Sequence, residues 1–254
     1  KAAQSLNVDL IIQSIHEGNT NDIAFTVVRA NLPQAEAVAA AIAPVLRGNI
    51  ADSSQAEIFV DQRVAKVSIV GAGMIGRPGV AARMFSTLAA AGVNIQMIST
   101  SEVKVSCTVQ IEQCDRAINA LCQAFQVTCS PLKSETPSPE ATSMPDVRGA
   151  VLDLKQVQVA MRHVPDLPGM AAQIFERLAT AGVSVDMIIQ SQRCRLVGGQ
   201  ATRDIAFTVA QAEAAQAQAV VESAAAELGC GDVAVNGAIA KVSVVGLGMV
   251  NRPG

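Results

Sequence analysis

The chain repeats itself, and the repeat sets the size of the folding unit before any residue is weighed singly. AKVSIVGAGMIGRPG at 65–79 returns as AKVSVVGLGMVNRPG at 240–254, an offset of 175. VDLIIQS at 8–14 returns as VDMIIQS at 185–191, and DIAFTV at 22–27 returns unchanged at 204–209. A finer copy lies inside these: GVAARMFSTLAAAGVNIQMIST at 79–100 aligns with GMAAQIFERLATAGVSVDMIIQ at 169–190, an offset of 90. A fixed period of this kind is the mark of an array of small supersecondary units. Such an array is first a binding or assembly device, and an enzyme only if catalytic residues are found in it.

The copies fall into two classes. Type A carries Asp9 or Asp186 in the strand after its first helix, then Gln13 or Gln190 four residues on; type B carries Gln96 and then Thr100. Their order is A (1–62), B (63–129), a linker (130–149), A (150–238) and the start of a second B (239–254). Strict alternation predicts that A and B units pair with one another. The chain opens on Lys1, inside what reads as the end of a type-A helix, and stops at Gly254, where other copies begin a helix. It is therefore expected to be a piece of a longer protein.

Each full unit reads strand, helix, strand, strand, helix, strand. In the second A unit, Val157 to Arg162 is a strand, followed by the turn VPDLPG. Pro168 suits a first helical turn, where its missing N–H is not needed. Ala171, Ile174, Phe175 and Leu178 then recur on one helical face, and Gly182 closes the helix. Strands are expected at 183–190, 204–209 and 232–236, with an Ala-rich helix from about Ala212 to Leu228 that stops at Gly229. The B unit repeats the pattern with strands at 64–70, 93–99 and 104–111 and helices at 78–91 and 115–125. A short final strand is expected after Gln126. A βαββαβ unit folds as an antiparallel sheet with both helices on one face. The fold class is α+β: tandem ferredoxin-like units that pair through their sheets, because the open face and edges need cover. The segment SPLKSETPSPEATSMPDVR at 130–148 has the composition of a linker.

Composition narrows the function. With 19 basic and 22 acidic residues the net charge is −3, which leaves no footprint for nucleic acid or an anionic membrane. Trp and Tyr are absent, so base-stacking platforms are not expected. The longest uncharged run, Met84 to Ser101, is broken by Gly92, Asn94 and Gln96 and changes period midway, so it reads as a helix then a strand and not as a membrane span. The six cysteines form no C-x-x-C pair, and His16 and His163 are the only histidines. Buried thiols in a reducing, cytoplasmic compartment are expected, with no metal site.

GAGMIG at 71–76 lies between a strand and a helix and matches a dinucleotide fingerprint. Against that reading, the sister copy has Asn251 in place of the third glycine. The next strand, VNIQMIST, also lacks the acidic residue that would hold a ribose. Two other readings remain: a cradle of backbone N–H groups for a small carboxylate, or simply a tight turn. Asp9 and Asp186, in β-rich runs, are either solvent-facing or carboxylates awaiting an ammonium group. Gln13, Gln190 and Asn94 supply donors and acceptors suited to a zwitterion. No residue set looks catalytic.

The motifs VDLIIQS, DIAFTV, AKVSIVGAGMIGRPGVAARMF and GVNIQMISTSEVKVS resemble the regulatory region of aspartate kinase, which is built from ACT domains, and the likeness covers nearly the whole chain. The resemblance implies a version with four ACT units, in a parent that transfers phosphate from ATP, with Mg, to aspartate through a separate kinase domain. It implies feedback inhibition by lysine, threonine or both, a homodimer formed through ACT units, and no cofactor in this region. It places the effector against the loop before a first helix and the second strand of a neighbouring unit. By motif, the loop residues are Met74, Gly76 and Gly79 in B, and Asp166, Gly169 and Ala171 in A. The strand residues are Val8, Asp9 and Gln13, then Asn94 and Ile95, then Val185, Asp186 and Gln190; Glu102 falls in the family's Thr-Ser-Glu segment. One departure stands out. RCRLVGGQATR at 193–203 is five residues longer than its counterpart HEGNTN at 16–21, so effector identity is expected to differ between the halves. A Rossmann-type NAD protein using Gly71, Gly73 and Gly76, and a ligand-free ACT assembly module, are the alternatives.

Overall fold

The computed structural model describes residues 6, 8–15, 21–46, 58–71, 79–101, 103–129, 148–190 and 194–245. Its centre is two copies of one module. The first holds β3 (Val64–Val70), α2 (Val80–Ala90), β4 (Met97–Ser101), β5 (Lys104–Gln110) and α3 (Cys114–Phe125). The second holds β7 (Gln156–Pro165), α4 (Met170–Thr180), β8 (Val185–Gln190), β9 (Arg195–Val197), β10 (Gln200–Ala210), α5 (Ala214–Leu228) and β11 (Val233–Asn236). Together they build one sheet in the order β11-β7-β10-β8-β4-β5-β3, with β9 hairpinned onto β10. All pairings are antiparallel. The sheet is continuous because β4 of one module pairs with β8 of the other, Ile98 opposite Gln190 and Ser99 opposite Ile189.

The helices form in the expected places for the expected reasons. In α4 the face Ala171, Ile174, Phe175 and Leu178 is buried, and α2 presents Ala82, Met84, Phe85 and Leu88 the same way. Gly182 and Gly229 take φ of +76° and +66° just past α4 and within the cap of α5, the left-handed conformation that ends a helix. A 3-10 turn, Gln211–Glu213, precedes α5, so the α-helix proper starts at Ala214.

The two modules are related by a local two-fold axis. Phe85 and Phe175 are equivalent under the offset of 90, and their rings touch with centroids 5.5 Å apart. Gly79 lies beside Ala179 and Gly169 beside Ala89, which is the same contact made twice in opposite directions. Equivalent residues meeting one another, and reciprocal pairs around them, define a two-fold interface. Phe175 continues the cluster by meeting Phe207 edge-on at 5.5 Å.

The open face of the sheet is also covered. The ribbon of β1 (Val8–Ile15) and β2 (Asn21–Val27) sets Leu10 and Ile12 against Met97, with Ala24 and Ile189 beside them. Asp9 on β1 pairs with Lys66 on β3. A second ribbon joins β6 (Gly149–Asp153) to β12 (Lys241–Val245), and Lys241 pairs with Asp186 on β8. Helix α1 (Leu32–Leu46) follows β2.

Two strand expectations change. After α3, Gln126 takes φ of +56° and Val127 N–H donates to the Cys122 carbonyl, turning the chain out of the sheet. Residues 126–129 form no strand, and most of the linker lies outside the described residues. In the second module β11 pairs with β7, and β6 takes the same antiparallel place against β12, the sequence copy of β3. A strand that precedes one module thus borders the next. The strand expected from Val93 starts only at Met97, because the carbonyls of Ile95 and Gln96 accept side-chain donors from the other module in place of a neighbouring strand. No helix among the described residues is long and apolar enough to cross a membrane.

The aromatic cluster on the axis is the point of greatest packing demand. Phe175→Ala is expected to lower the unfolding free energy by about 3–5 kcal/mol in a denaturant titration. Val70→Ala, at a side chain 71% exposed, is expected to change it by no more than about 0.5 kcal/mol.

Candidate functional site

One cleft opens on the seam between the modules. It is lined by Asn94 and Ile95 from the approach to β4, by Asp166, Gly169 and Ala171 from the loop into α4, and by Gln190 and Arg203 from β8 and β10. Phe85, Val93, Val164, Met170 and Ile205 give it apolar walls. The cavity is about 20 Å³, room for a water or two and not for an amino acid without some adjustment.

The loop is aimed into the cleft by a bulge in β7. The register of β7 against β10 shifts between Arg203 and Ile205, and opposite this shift His163 adopts φ of +50°. Its N–H, turned out of the ladder, donates to Asp204 Oδ1 at 3.0 Å. Asp204 opens the second DIAFTV motif, so this bond gives that repeated acid a structural task. Gly231 closes over the bulge: a Cβ there would stand 2.7 Å from His163 Nδ1 and 3.0 Å from the Arg162 carbonyl, so a side chain would have to displace the imidazole and press on the bulge backbone. Bulges of this kind re-aim the residues that follow them. Here those residues are Val164 to Asp166, and the Asp166 N–H is fixed to the Ala201 carbonyl at 2.8 Å.

Asp166 is the hub. Oδ1 accepts from Asn94 Nδ2 of the other module at 3.1 Å, and Oδ2 meets Arg203 Nη2 at 3.0 Å. Cys194 Sγ lies 3.8 Å from Oδ2. Arg203 Nη1 also donates to the Gln96 carbonyl at 3.0 Å, so one guanidinium holds a carboxylate of its own module and a backbone group of its neighbour. Both charged side chains are largely buried, 9% and 14% exposed, which strengthens their attraction and raises the cost of losing either partner.

Gln190 is 5% exposed and donates through Nε2 to the Ile95 and Gln96 carbonyls at 3.1 and 3.4 Å. Its counterpart under the offset of 90 is Thr100. That hydroxyl donates to the Asp186 carbonyl at 3.3 Å and accepts from Ile188 N–H at 2.7 Å. The residues that distinguish the two classes in the sequence therefore stitch the same seam from opposite sides.

Six expected residues thus meet in one cleft: Asn94, Ile95, Asp166, Gly169, Ala171 and Gln190. Gly79 and Val185 lie on the other side of the two-fold axis, at the equivalent position. Met74, Gly76 and Glu102 lie outside the described residues. Gly76 is the counterpart of Asp166 under the offset of 90, so a carboxylate already stands at that place in the other copy. Asp9 and Asp186 each face an ammonium group of this chain, Lys66 or Lys241. Val8 and Gln13 sit on the β1–β2 ribbon, opposite Val27 and Ile23. Arg203 and Asp204 were missed because their partners lie far along the chain; the added length of 193–203 was the one visible signal. The expectation of buried thiols holds fully for Cys107, whose burial pushes it up to about 12, whereas Cys129 and Cys194 are exposed.

A mononucleotide crevice needs neighbouring parallel strands. Here the antiparallel β5 lies between β3 and β4, which removes the Rossmann alternative. Paired α+β modules that share one antiparallel sheet across their seam define a tandem regulatory module. Comparison with known proteins agrees: the ACT domain model matches residues 67–125 and 157–224, and the chain belongs to that family, in the arrangement of an aspartate kinase regulatory region. The crystal structure of aspartate kinase from Synechocystis superposes with a TM-score of 0.89 and 57% identity, over 98% of this chain and 41% of that one. An aspartokinase of Bacillus sp. (strain MGA3) is 42% identical over 134 residues, 53% of this chain and 31% of its own length. The aspartate kinase Ask_LysC of Stutzerimonas stutzeri (strain A1501) is 42% identical over 50% of this chain and 29% of its own length. These alignments span less than a third of the curated relatives.

The Asp166–Arg203 pair lends itself to a double-mutant cycle. Asp166→Ala alone is expected to cost about 3 kcal/mol of stability, since it strands a buried guanidinium. Adding Arg203→Leu is expected to recover most of that loss in the same urea titration.

Proposed function

We propose that this chain is the feedback-sensing part of an aspartate kinase, and that the cleft at the module seam binds a free α-amino acid, an end product such as lysine or threonine. The observation that carries this reading is the cleft itself. It joins one carboxylate, one guanidinium, two carboxamides and the N-terminal end of α4 within apolar walls, which is the complement of a zwitterion. The N–H groups that open α4 favour the effector's carboxylate, and Asp166 its ammonium.

The location gives the regulation its physical basis. A ligand there touches both modules, so its binding energy depends on how they sit against one another. Any ligand with unequal affinity for two arrangements shifts their populations. In this reading phosphoryl transfer from ATP, with Mg, to aspartate belongs to a kinase domain of the parent protein, acting in the cytoplasm. The ACT units join chains into a homodimer. The exposed aliphatic faces of the two ribbons, with Ile11, Ile23, Val242 and Val244, are candidate contacts for that assembly.

Calorimetry on this chain with lysine, threonine and NAD tests the reading. At least one of the amino acids is expected to bind and to raise the melting temperature by mass action, and NAD is expected to give no heat. Asp166→Asn is expected to weaken the amino acid about ten- to a hundredfold, corresponding to about 1.5–3 kcal/mol. Silence with every amino acid would leave the ligand-free assembly module as the better description. For the dimer, sedimentation equilibrium at micromolar concentration with effector present is expected to return twice the chain mass of 26.2 kDa, and a monomer would contradict it.

A further inference from the structure

We infer that Arg203 sets the ligand choice of the seam cleft, making it a site for an α-amino acid with a short, uncharged side chain and disfavouring a dibasic one; this rests on the amino-acid reading above. Among the described residues lining the cleft, Asp166 and Arg203 are the only charged ones. They are already paired at 3.0 Å, so the cleft is neutral before a ligand arrives. An α-amino acid brings one positive and one negative group, and exchange with the pair keeps the cleft neutral: ammonium to Asp166, carboxylate to Arg203 and the opening of α4.

Among the described residues a second ammonium has no such partner. The other acids nearby are engaged: Asp204 accepts from the His163 N–H and lies 3.9 Å from Arg195, and Asp186 faces Lys241. The remaining described walls are apolar side chains such as Phe85, Val93 and Ile205 and the neutral carboxamides of Asn94 and Gln190, which offer a side chain contact but no counter-charge. A basic side chain would therefore lie in a low-dielectric cleft beside the Arg203 guanidinium. Like charges placed this way are a recognised means of rejecting the wrong ligand. Arg203 is also held in place, because Nη1 is bonded to the Gln96 carbonyl of the other module at 3.0 Å and the side chain is 9% exposed. It is thus less able than a surface arginine to swing aside.

Cys194 gives a readout local to this cleft. Its thiol is exposed and lies 3.8 Å from Asp166, so a bound ligand should slow its alkylation by iodoacetamide; Cys107, wholly buried, serves as the reference in the same peptide map. Protection of Cys194 in the full chain is titrated with threonine, valine and lysine. In the wild type, threonine or valine is expected to protect at a concentration at least tenfold lower than lysine. In Arg203→Gln, the ratio is expected to move toward lysine by at least tenfold, because Asp166 is released to take an ammonium and the repelling charge is gone. Arg203→Lys, which keeps the charge, is expected to retain the wild-type preference if the glutamine variant does not fold. Equal protection by lysine and threonine in the wild type overturns the assignment, as does an unchanged ratio in a folded Arg203→Gln protein. Absence of protection by any amino acid, together with silent calorimetry, overturns the amino-acid reading and this inference with it.

Discussion

The pairing of β4 with β8 is the contact on which the rest of the structure depends. A βαββαβ module leaves strand edges unpaired, and an unpaired edge invites association with another strand. Here the edge of one module closes the edge of the other, and the helices are carried along, so that α2 lies against α4. The arrangement is two-fold because the two copies bring nearly the same residues to the seam. Phe85 meets its own equivalent, Phe175, and Gly79 and Gly169 each face an alanine of the opposite helix. Both glycines have φ near +92°, so the requirement for glycine comes from the backbone turn into the helix and not from lack of space.

The candidate site follows from that seam. Residues 94–96 approach β4 with the Gln96 N–H bonded to the Thr108 carbonyl of β5, while the Ile95 and Gln96 carbonyls are met by Gln190 and Arg203 from the other module. Asn94 returns the contact by donating to Asp166. Three side chains thus cross the boundary at one place, and any ligand seated there must rearrange bonds that hold the modules together. That is the physical condition for coupling binding to domain geometry, and it requires no long chain of intermediates.

The two-fold symmetry is approximate, and its departures are informative. Under the sequence offset of 90, Asp166 corresponds to Gly76 and Gln190 to Thr100. The β9–β10 hairpin, which brings Cys194 and Arg203 to the cleft, belongs to the longer of the two type-A loops. Among the described residues, the Asp166–Arg203 pair thus belongs to one side of the seam. Asp186 and Asp9 make the opposite point: two distant copies use the same acid in the same way, each pairing with the lysine of an AKVS strand. This recurrence identifies them as ties between the sheet and its covering ribbons.

Much of this was legible in the sequence because it is local or repeated. Helical faces such as Ala171, Ile174, Phe175 and Leu178 follow from periodicity, glycine ends from their backbone freedom, and the module size from the offsets of 90 and 175. The repeat also implied that A would pair with B, and six of the residues named for the site do come together. Tertiary structure alone decided the rest. The tasks of Asp204 and Gly231 depend on a bulge at His163 that no local pattern announces. β6 borders β12 instead of its own module, and the engagement of Asp186 by Lys241 depends on how a ribbon lies over a sheet. Arg203 meets Asp166 across 37 positions and Gln96 across 107. Sequence determines what repeats and what is periodic, because those are properties of the chain near each residue; which distant charges meet is fixed only when the sheet edges close.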